Sequence, residues 1–104
     1  MTRGDVYRIR LPRRRGHEQA GSRYALIVQA DELLHLSTAI VAPTSRSAGP
    51  TTFRPEIKVG GQQTRVLVEQ LRAVDLGRLR EHVDRISPRE LRAVDEALAL
   101  VLGL

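Results

Sequence analysis

Between Pro12 and Val28 the chain reads PRRRGHEQAGSRYALIV, with four arginines, one histidine and one glutamate set before an apolar run. Arg13, Arg14 and Arg15 are consecutive. His17, Glu18 and Gln19 stand between Gly16 and Gly21, and Arg23 falls where the polar segment meets the apolar one. A guanidinium presents a planar fork of N–H donors that matches two phosphate oxygens, so this grouping suits an anionic ligand. The same residues also describe a solvated basic connection, with Glu18 paired to one of its neighbours and Arg23 as a solvent-facing strand end. Two readings therefore stand side by side: a solvated loop, or a grip on an anion with titratable groups beside it.

The distribution of charge favours the second. The 104 residues carry a net charge of +5, and residues 1–30 hold seven Arg against Asp5 and Glu18, which is the whole excess. Residues 31–104 hold nine Arg and Lys58 against ten acids and are neutral. A GC-rich genome accounts for Arg over Lys but not for this asymmetry, and nucleic acid is the anionic partner that fits it. Other chemistries find no support. With no cysteine there is no thiolate metal site or disulfide. His17, His35 and His82 are widely spaced and lack a metal-ligating pairing. The Gly60–Gly61 pair lacks the Lys and the spacing of a phosphate-binding loop, and no Ser-nucleophile elbow is present. No apolar run is long enough to span a bilayer, nor does the N-terminus have a signal peptide's apolar core, so the cytoplasm is the expected compartment.

These side chains must be positioned by a small scaffold. A chain of this length forms one domain, expected over residues 1–104, and buries about 60–70% of its unfolded surface, a modest margin that pairing with a second copy would increase. Tyr7, Tyr24 and Phe53 are its aromatics, which leaves Val, Leu, Ile and Ala to build the core. Residues 5–11 alternate, with Tyr7, Ile9 and Leu11 on one face and Arg8 and Arg10 on the other, as a half-buried strand does. Residues 12–22 have loop composition, and residues 24–30, YALIVQA, read as a central buried strand. Residues 31–37 form a connection with a short helical turn. A third strand is expected over 38–43, ended by Pro43, then a polar loop over 44–51. Residues 52–59 are strand-like, with Pro55 at an edge or bulge. Residues 60–63 form a hairpin turn, followed by a strand over 64–71. Leu76 and Leu79 suggest a further helical turn.

The last element is the best signalled. Ser87 is an N-cap, Pro88 suits the first helical position, and Glu90 completes a capping box. Leu91, Val94, Leu98 and Val101 then share one face, and Gly103 ends the helix, which is expected over 88–102. Some five short strands followed by one helix favour a mainly β fold, an antiparallel sheet curled into a small barrel.

Five stretches, RGDVYRIRL, GHEQAGSRYALIVQAD, AIVAPTSR, VLVEQLRAVD and RISPRELRAVDEALALVLGL, occur in the order found in the MazF/PemK toxins of toxin–antitoxin modules, and together this chain resembles that family along essentially its whole length. The resemblance implies an SH3-like barrel of the CcdB/PemK type, a homodimer, and a cognate MazE-like antitoxin. It also implies cleavage of single-stranded RNA without a metal or other cofactor: the RNA's 2′-hydroxyl attacks the adjacent phosphate and leaves a 2′,3′-cyclic phosphate and a 5′-hydroxyl. The family's arginine after the Gly-bounded loop corresponds to Arg23. Its hydroxyl partner falls on Thr44 if one gap is allowed and on Ser45 if none is, with Thr44 preferred. Two positions depart from the family pattern: His17 replaces a serine and Tyr24 a proline. His17 could titrate or stack on a base, and Tyr24 could stack; an exposed loop histidine and a packed tyrosine are the ordinary alternatives. Arg13, Arg14 and Arg15 would hold the RNA backbone, Glu18 and Gln19 would contact bases or orient Arg23, and Gln70, from the fifth strand, would reach a base edge across a dimer groove. A CcdB-type gyrase poison shares the barrel, but such toxins end in Trp-Gly-Ile and this chain has no Trp and ends LGL. A non-catalytic RNA-binding module is the other alternative; it would need the basic loop but no catalytic pair.

Overall fold

The computed structural model describes residues 1–11 and 21–104. Seven strands are found among them, in a single antiparallel network: β1 (Asp5–Leu11), β2 (Gly21–Ile27), β3 (Thr38–Ser45), β4 (Glu56–Val59), β5 (Gln62–Val66), β6 (Arg72–Asp75) and β7 (Leu79–Arg85). Helix α1 (Pro88–Leu102) follows. The strands lie in the order β4-β5-β3-β2-β1-β7, with β6 also paired to β3. The expected mainly β fold with one C-terminal helix is therefore present, as a curled antiparallel sheet.

Strand β3 organises the sheet. One edge pairs with β2 from Val41 to Pro43, while the other pairs first with β6, over Thr38–Val41, and then with β5, at Thr44 and Ser45. Pro43 does not end this strand, contrary to expectation. It faces the hand-over from β5 to β6, where its carbonyl accepts from Leu67 N–H at 2.8 Å. Having no N–H of its own, proline leaves no donor stranded opposite that break. The break itself is a 3-10 turn at Val68–Gln70, so the strand expected over 64–71 is shorter and Gln70 stands at the end of a turn.

Residues 52–55 are not strand; β4 begins after Pro55 and forms the sheet edge. The β4–β5 hairpin turns on Gly60 and Gly61, with φ of 60° and 80°. Two successive positive φ values match the twist of the flanking strands and favour glycine at both positions. The expected turns appear at Asp31–Leu33 and Leu76–Arg78, whereas β6 and β7 are additional strands.

The central strand is buried on both faces, which is why residues 25–28 are continuously apolar. Leu26 and Val28 pack with Val6, Ala42, Ile57 and Val66 into a core closed by Val94 and Ala97 of α1. Ala25 and Ile27 pack on the opposite side with Ile9, Ala39, Val41 and Val74. Helix α1 has the expected caps: Glu90 N–H donates to Ser87 Oγ at 3.1 Å and Ser87 N–H to the Glu90 carboxylate at 2.8 Å, while Gly103 ends it with φ of 70°. Of the four residues expected on its buried face, Val94 is fully buried, Leu91 and Leu98 are half-buried, and Val101 is exposed. The other oxygen of Glu90 accepts Lys58 N–H at 2.7 Å, tying the helix start to β4. Asp84 Oδ2 accepts Gly60 N–H at 2.8 Å, so the hairpin turn is tied back to β7.

Candidate functional site

Strand β2 pairs with β1 as far as Gly21 but with β3 only as far as Ala25, opposite Pro43. Beyond that point β3 runs on against β5. The sheet forks here, and in the fork lies a cleft of about 610 Å³ lined by Arg8, Arg23, Tyr24, Thr44, Ser45, Arg46, Ser47 and Thr64.

The lining follows from strand alternation. Side chains two apart on a strand share a face. Val6 precedes Arg8 on β1, Leu26 lies two from Tyr24 on β2, Ala42 two from Thr44 on β3, and Val66 two from Thr64 on β5; all four apolar members belong to the core under α1. The core-facing row of each strand thus changes from apolar to polar as it leaves the core, and the cleft is the open end of the same interior.

Among the described residues, three arginines and no carboxylate line the cleft, so they give it a positive field that suits a phosphodiester. The Arg8 guanidinium lies 5.3 Å from the Tyr24 ring centroid, a cation–π geometry. Arg8 and Tyr24 are also paired in the β1–β2 register. Thr44 is 4% exposed and its Oγ1 donates to the Tyr24 carbonyl at 3.4 Å. Ser45 and Ser47 share a hydrogen bond between their hydroxyls at 3.3 Å. Arg23 is exposed at the cleft rim, with Ile9 as its register partner on β1. Rigid strands hold Arg23, Tyr24, Thr44, Ser45 and Thr64, as a site that must position a substrate requires.

The structure brings together Arg23, Tyr24, Thr44 and Ser45, four residues singled out from the sequence. Arg13, Arg14, Arg15, His17, Glu18 and Gln19 lie outside the described residues. Gln70 is half-buried on its turn and is not among the residues lining the cleft. Its neighbour Glu69 is held by Arg54 at 2.6 Å. Arg8, Arg46, Ser47 and Thr64 were not foreseen. Arg8 was assigned to a solvent face because one side of β1 was expected to be dry and the other wet. In fact Val6 and Ile9, on opposite faces, are both fully buried. An arginine two residues from a core valine was the available signal for Arg8, as was a threonine two residues from Val66 for Thr64.

A strongly positive, hydroxyl-lined cleft at the mouth of a small curled sheet defines a protein suited to holding a polyanion. The chain belongs to the PemK-like, MazF-like toxins of type II toxin–antitoxin systems, whose family model matches residues 2–102. It is 40% identical over 106 residues to a candidate toxin of Mycobacterium tuberculosis, covering 100% of this chain and 99% of that one. It is 31% identical over 111 residues to the endoribonuclease MazF of Staphylococcus saprophyticus, covering 100% of this chain and 92% of that one. Its fold matches MazF from Deinococcus radiodurans with a TM-score of 0.87 at 22% identity, covering 100% and 97% of the two chains. It also matches an endoribonuclease in complex with its cognate antitoxin from a mycobacterial species, with a TM-score of 0.84 at 20% identity over 100% and 96%.

Proposed function

We propose that this protein is the toxin of a type II toxin–antitoxin pair and an endoribonuclease that cuts single-stranded RNA in the forked cleft, acting as an mRNA interferase that halts translation and growth. The observation that carries the reading is the meeting of Arg23 with Thr44 and Ser45, from opposite sides of the fork, in a cleft whose described lining has three arginines and no carboxylate. Family membership over residues 2–102 and the likeness to a named endoribonuclease support it.

In the proposed reaction the substrate's 2′-oxygen attacks the adjacent phosphorus and gives up its proton to solvent water. The bond to the 5′-oxygen breaks, and that oxygen takes up a proton, leaving a 2′,3′-cyclic phosphate and a 5′-hydroxyl. Negative charge accumulates on the phosphorane oxygens at the transition state, and a preorganised guanidinium there is worth more than in water. Arg23 takes this role and supplies the proton to the leaving oxygen. Thr44 is its preferred hydroxyl partner, with Ser45 the alternative. The chemistry needs neither metal nor cofactor. Tyr24 offers a ring to an unpaired base, and Arg8 and Arg46 add charge for the backbone. Arg13, Arg14 and Arg15 extend that charge along the strand, while His17, Glu18, Gln19 and Gln70 take part in choosing the sequence cut.

The toxin acts as a single domain over residues 1–104, as a homodimer, in the cytoplasm, and is restrained by a MazE-like antitoxin. Two structural neighbours in complex with their antitoxins support that partner. No helix among the described residues is long and apolar enough to cross a membrane. Incubating the protein with single-stranded RNA in EDTA and analysing the new ends tests the reading. Cyclic phosphate and 5′-hydroxyl ends are expected; RNA that is bound but uncut would leave a binding module instead.

A further inference from the structure

Of the four Ser and Thr hydroxyls that line the cleft among the described residues, three have protein partners. Thr44 bonds to the Tyr24 carbonyl, and Ser45 and Ser47 bond to each other. Thr64 does not: its Oγ1 is buried, its residue is 5% exposed, and no hydrogen-bond partner is found among the described residues. A buried hydroxyl without a partner is costly to a fold, and such exceptions call for an explanation. Core packing supplies none, because valine would fill the same place on β5 without a polar atom and with a better strand preference.

We propose that Thr64 is a substrate-binding residue whose hydroxyl donates to a non-bridging phosphate oxygen of the RNA. The inference rests on the cleft being the RNA site. Thr64 lines a cavity whose charged groups, among the described residues, are Arg8, Arg23 and Arg46. The ligand group that best complements such surroundings is an anionic oxygen, and to it a hydroxyl can only donate. Its placement is firm: Thr64 pairs with Ile57 on β4, and the following residues Arg65 and Val66 pair with Ser45 and Thr44 on β3. Thr64 therefore stands two residues along β5 from the partner of Thr44, which sets its phosphate beside the scissile one. A β-branched side chain on such a strand keeps its hydroxyl aimed with little freedom at χ1.

Thr64→Val removes the hydroxyl and keeps the shape. The test uses the full chain and an RNA drawn from a random-sequence pool that the wild type cleaves, with a 2′-deoxy version at the mapped cut position for binding. Thr64→Val should bind the deoxy oligonucleotide about 10- to 100-fold more weakly, the range for one hydrogen bond to a charged group. KM should rise by a similar factor while kcat stays within about threefold of the wild type, the pattern of lost ground-state binding. The melting temperature should stay the same or rise, and Thr64→Ser should bind as the wild type does. Unchanged binding by Thr64→Val would overturn the assignment, as would a lowered melting temperature, which would make the hydroxyl structural. If Thr64→Val behaves as wild type while Arg23→Ala is inactive, Thr64 fails and the RNA site stands. If the wild type neither binds nor cuts the pool, the RNA reading itself fails.

Discussion

The strands β1, β2, β3 and β5 each serve two regions of the interior with opposite chemistry. Under α1 they contribute Val6, Leu26, Ala42 and Val66 to a core that excludes water. Two residues away along each strand, the same faces carry Arg8, Tyr24, Thr44 and Thr64 into the cleft. The closed region is fastened from outside by Glu90 on Lys58 N–H, Asp84 on Gly60 N–H and Arg3 on Asp95 at 2.6 Å. The open region exists because β2 and β3 part company after Ala25 and Pro43. A sheet that is rigid where it is dry can thus hold polar groups in fixed positions where it is wet. Stability and activity should then be separable by mutation.

The largest stability effect is expected in the closed region. Leu26 is fully buried there, and Leu26→Ala should cost about 2–5 kcal/mol in urea unfolding. Leu98→Ala should cost less than Leu26→Ala, because Leu98 is only half-buried at the helix edge. Equal losses would mean that the helix carries more of the core than its packing indicates.

Asp5, at the start of β1, should give the next largest. Burial pushes its carboxyl up, but Thr2 N–H at 2.8 Å, His82 at 3.2 Å and Arg85 at 3.2 Å outweigh that and hold it below the ordinary carboxylate range. A carboxyl with a depressed folded value contributes stability that is present above its unfolded value near 4 and is lost as the pH falls through the folded value. Asp5→Asn should therefore cost about 1–3 kcal/mol at neutral pH and flatten the decline of stability on acidification. A variant with the same acid limb as the wild type would show that other carboxylates set it.

Effects in the open region should appear in RNA handling and leave unfolding alone. Of Thr44→Ala and Ser45→Ala, only the true partner of Arg23 should slow cleavage, by about tenfold for one hydrogen bond, with binding retained. Equal slowing by both would mean that neither hydroxyl is privileged. The smallest effect is expected for Arg46→Ala. Removing one phosphate contact should reduce the slope of log affinity against log salt by about 0.7. An unchanged slope would place Arg46 outside the RNA path.

What the sequence disclosed follows from how local each signal is. Helix α1 was legible to its termini because Ser87, Pro88, Glu90 and Gly103 act within one turn of themselves. The Gly60–Gly61 hairpin was legible for the same reason. Strands β6 and β7 were not: β6 is four residues long with only Val74 buried, and β7 is largely exposed or half-buried, so neither shows a clear alternation. Pro43 misled because its tolerance depends on a break in the neighbouring edge, the turn at Val68–Gln70, which lies too far along the chain for a local reading to reach.

 The partner of that break is Leu67, whose N–H meets the Pro43 carbonyl only once the sheet has formed. The cleft was half legible. Arg23, Tyr24, Thr44 and Ser45 stand at positions the family pattern marks out for the site, whereas Arg8 and Thr64 join them only through the register of β1 with β2 and of β5 with β3.

The central claim is that the cleft performs the cleavage through Arg23, and single-turnover cleavage measured beside binding tests it most directly. If Arg23 stabilises charge that develops only at the transition state, Arg23→Ala should lose about a hundredfold or more in turnover, with a far smaller change in affinity for the 2′-deoxy oligonucleotide. Arg23→Lys should remain poor, because a point charge does not replace a planar fork spanning two phosphate oxygens. Both variants should unfold as the wild type does, since Arg23 is exposed. Cleavage by Arg23→Ala at the wild-type rate would contradict the account at its centre.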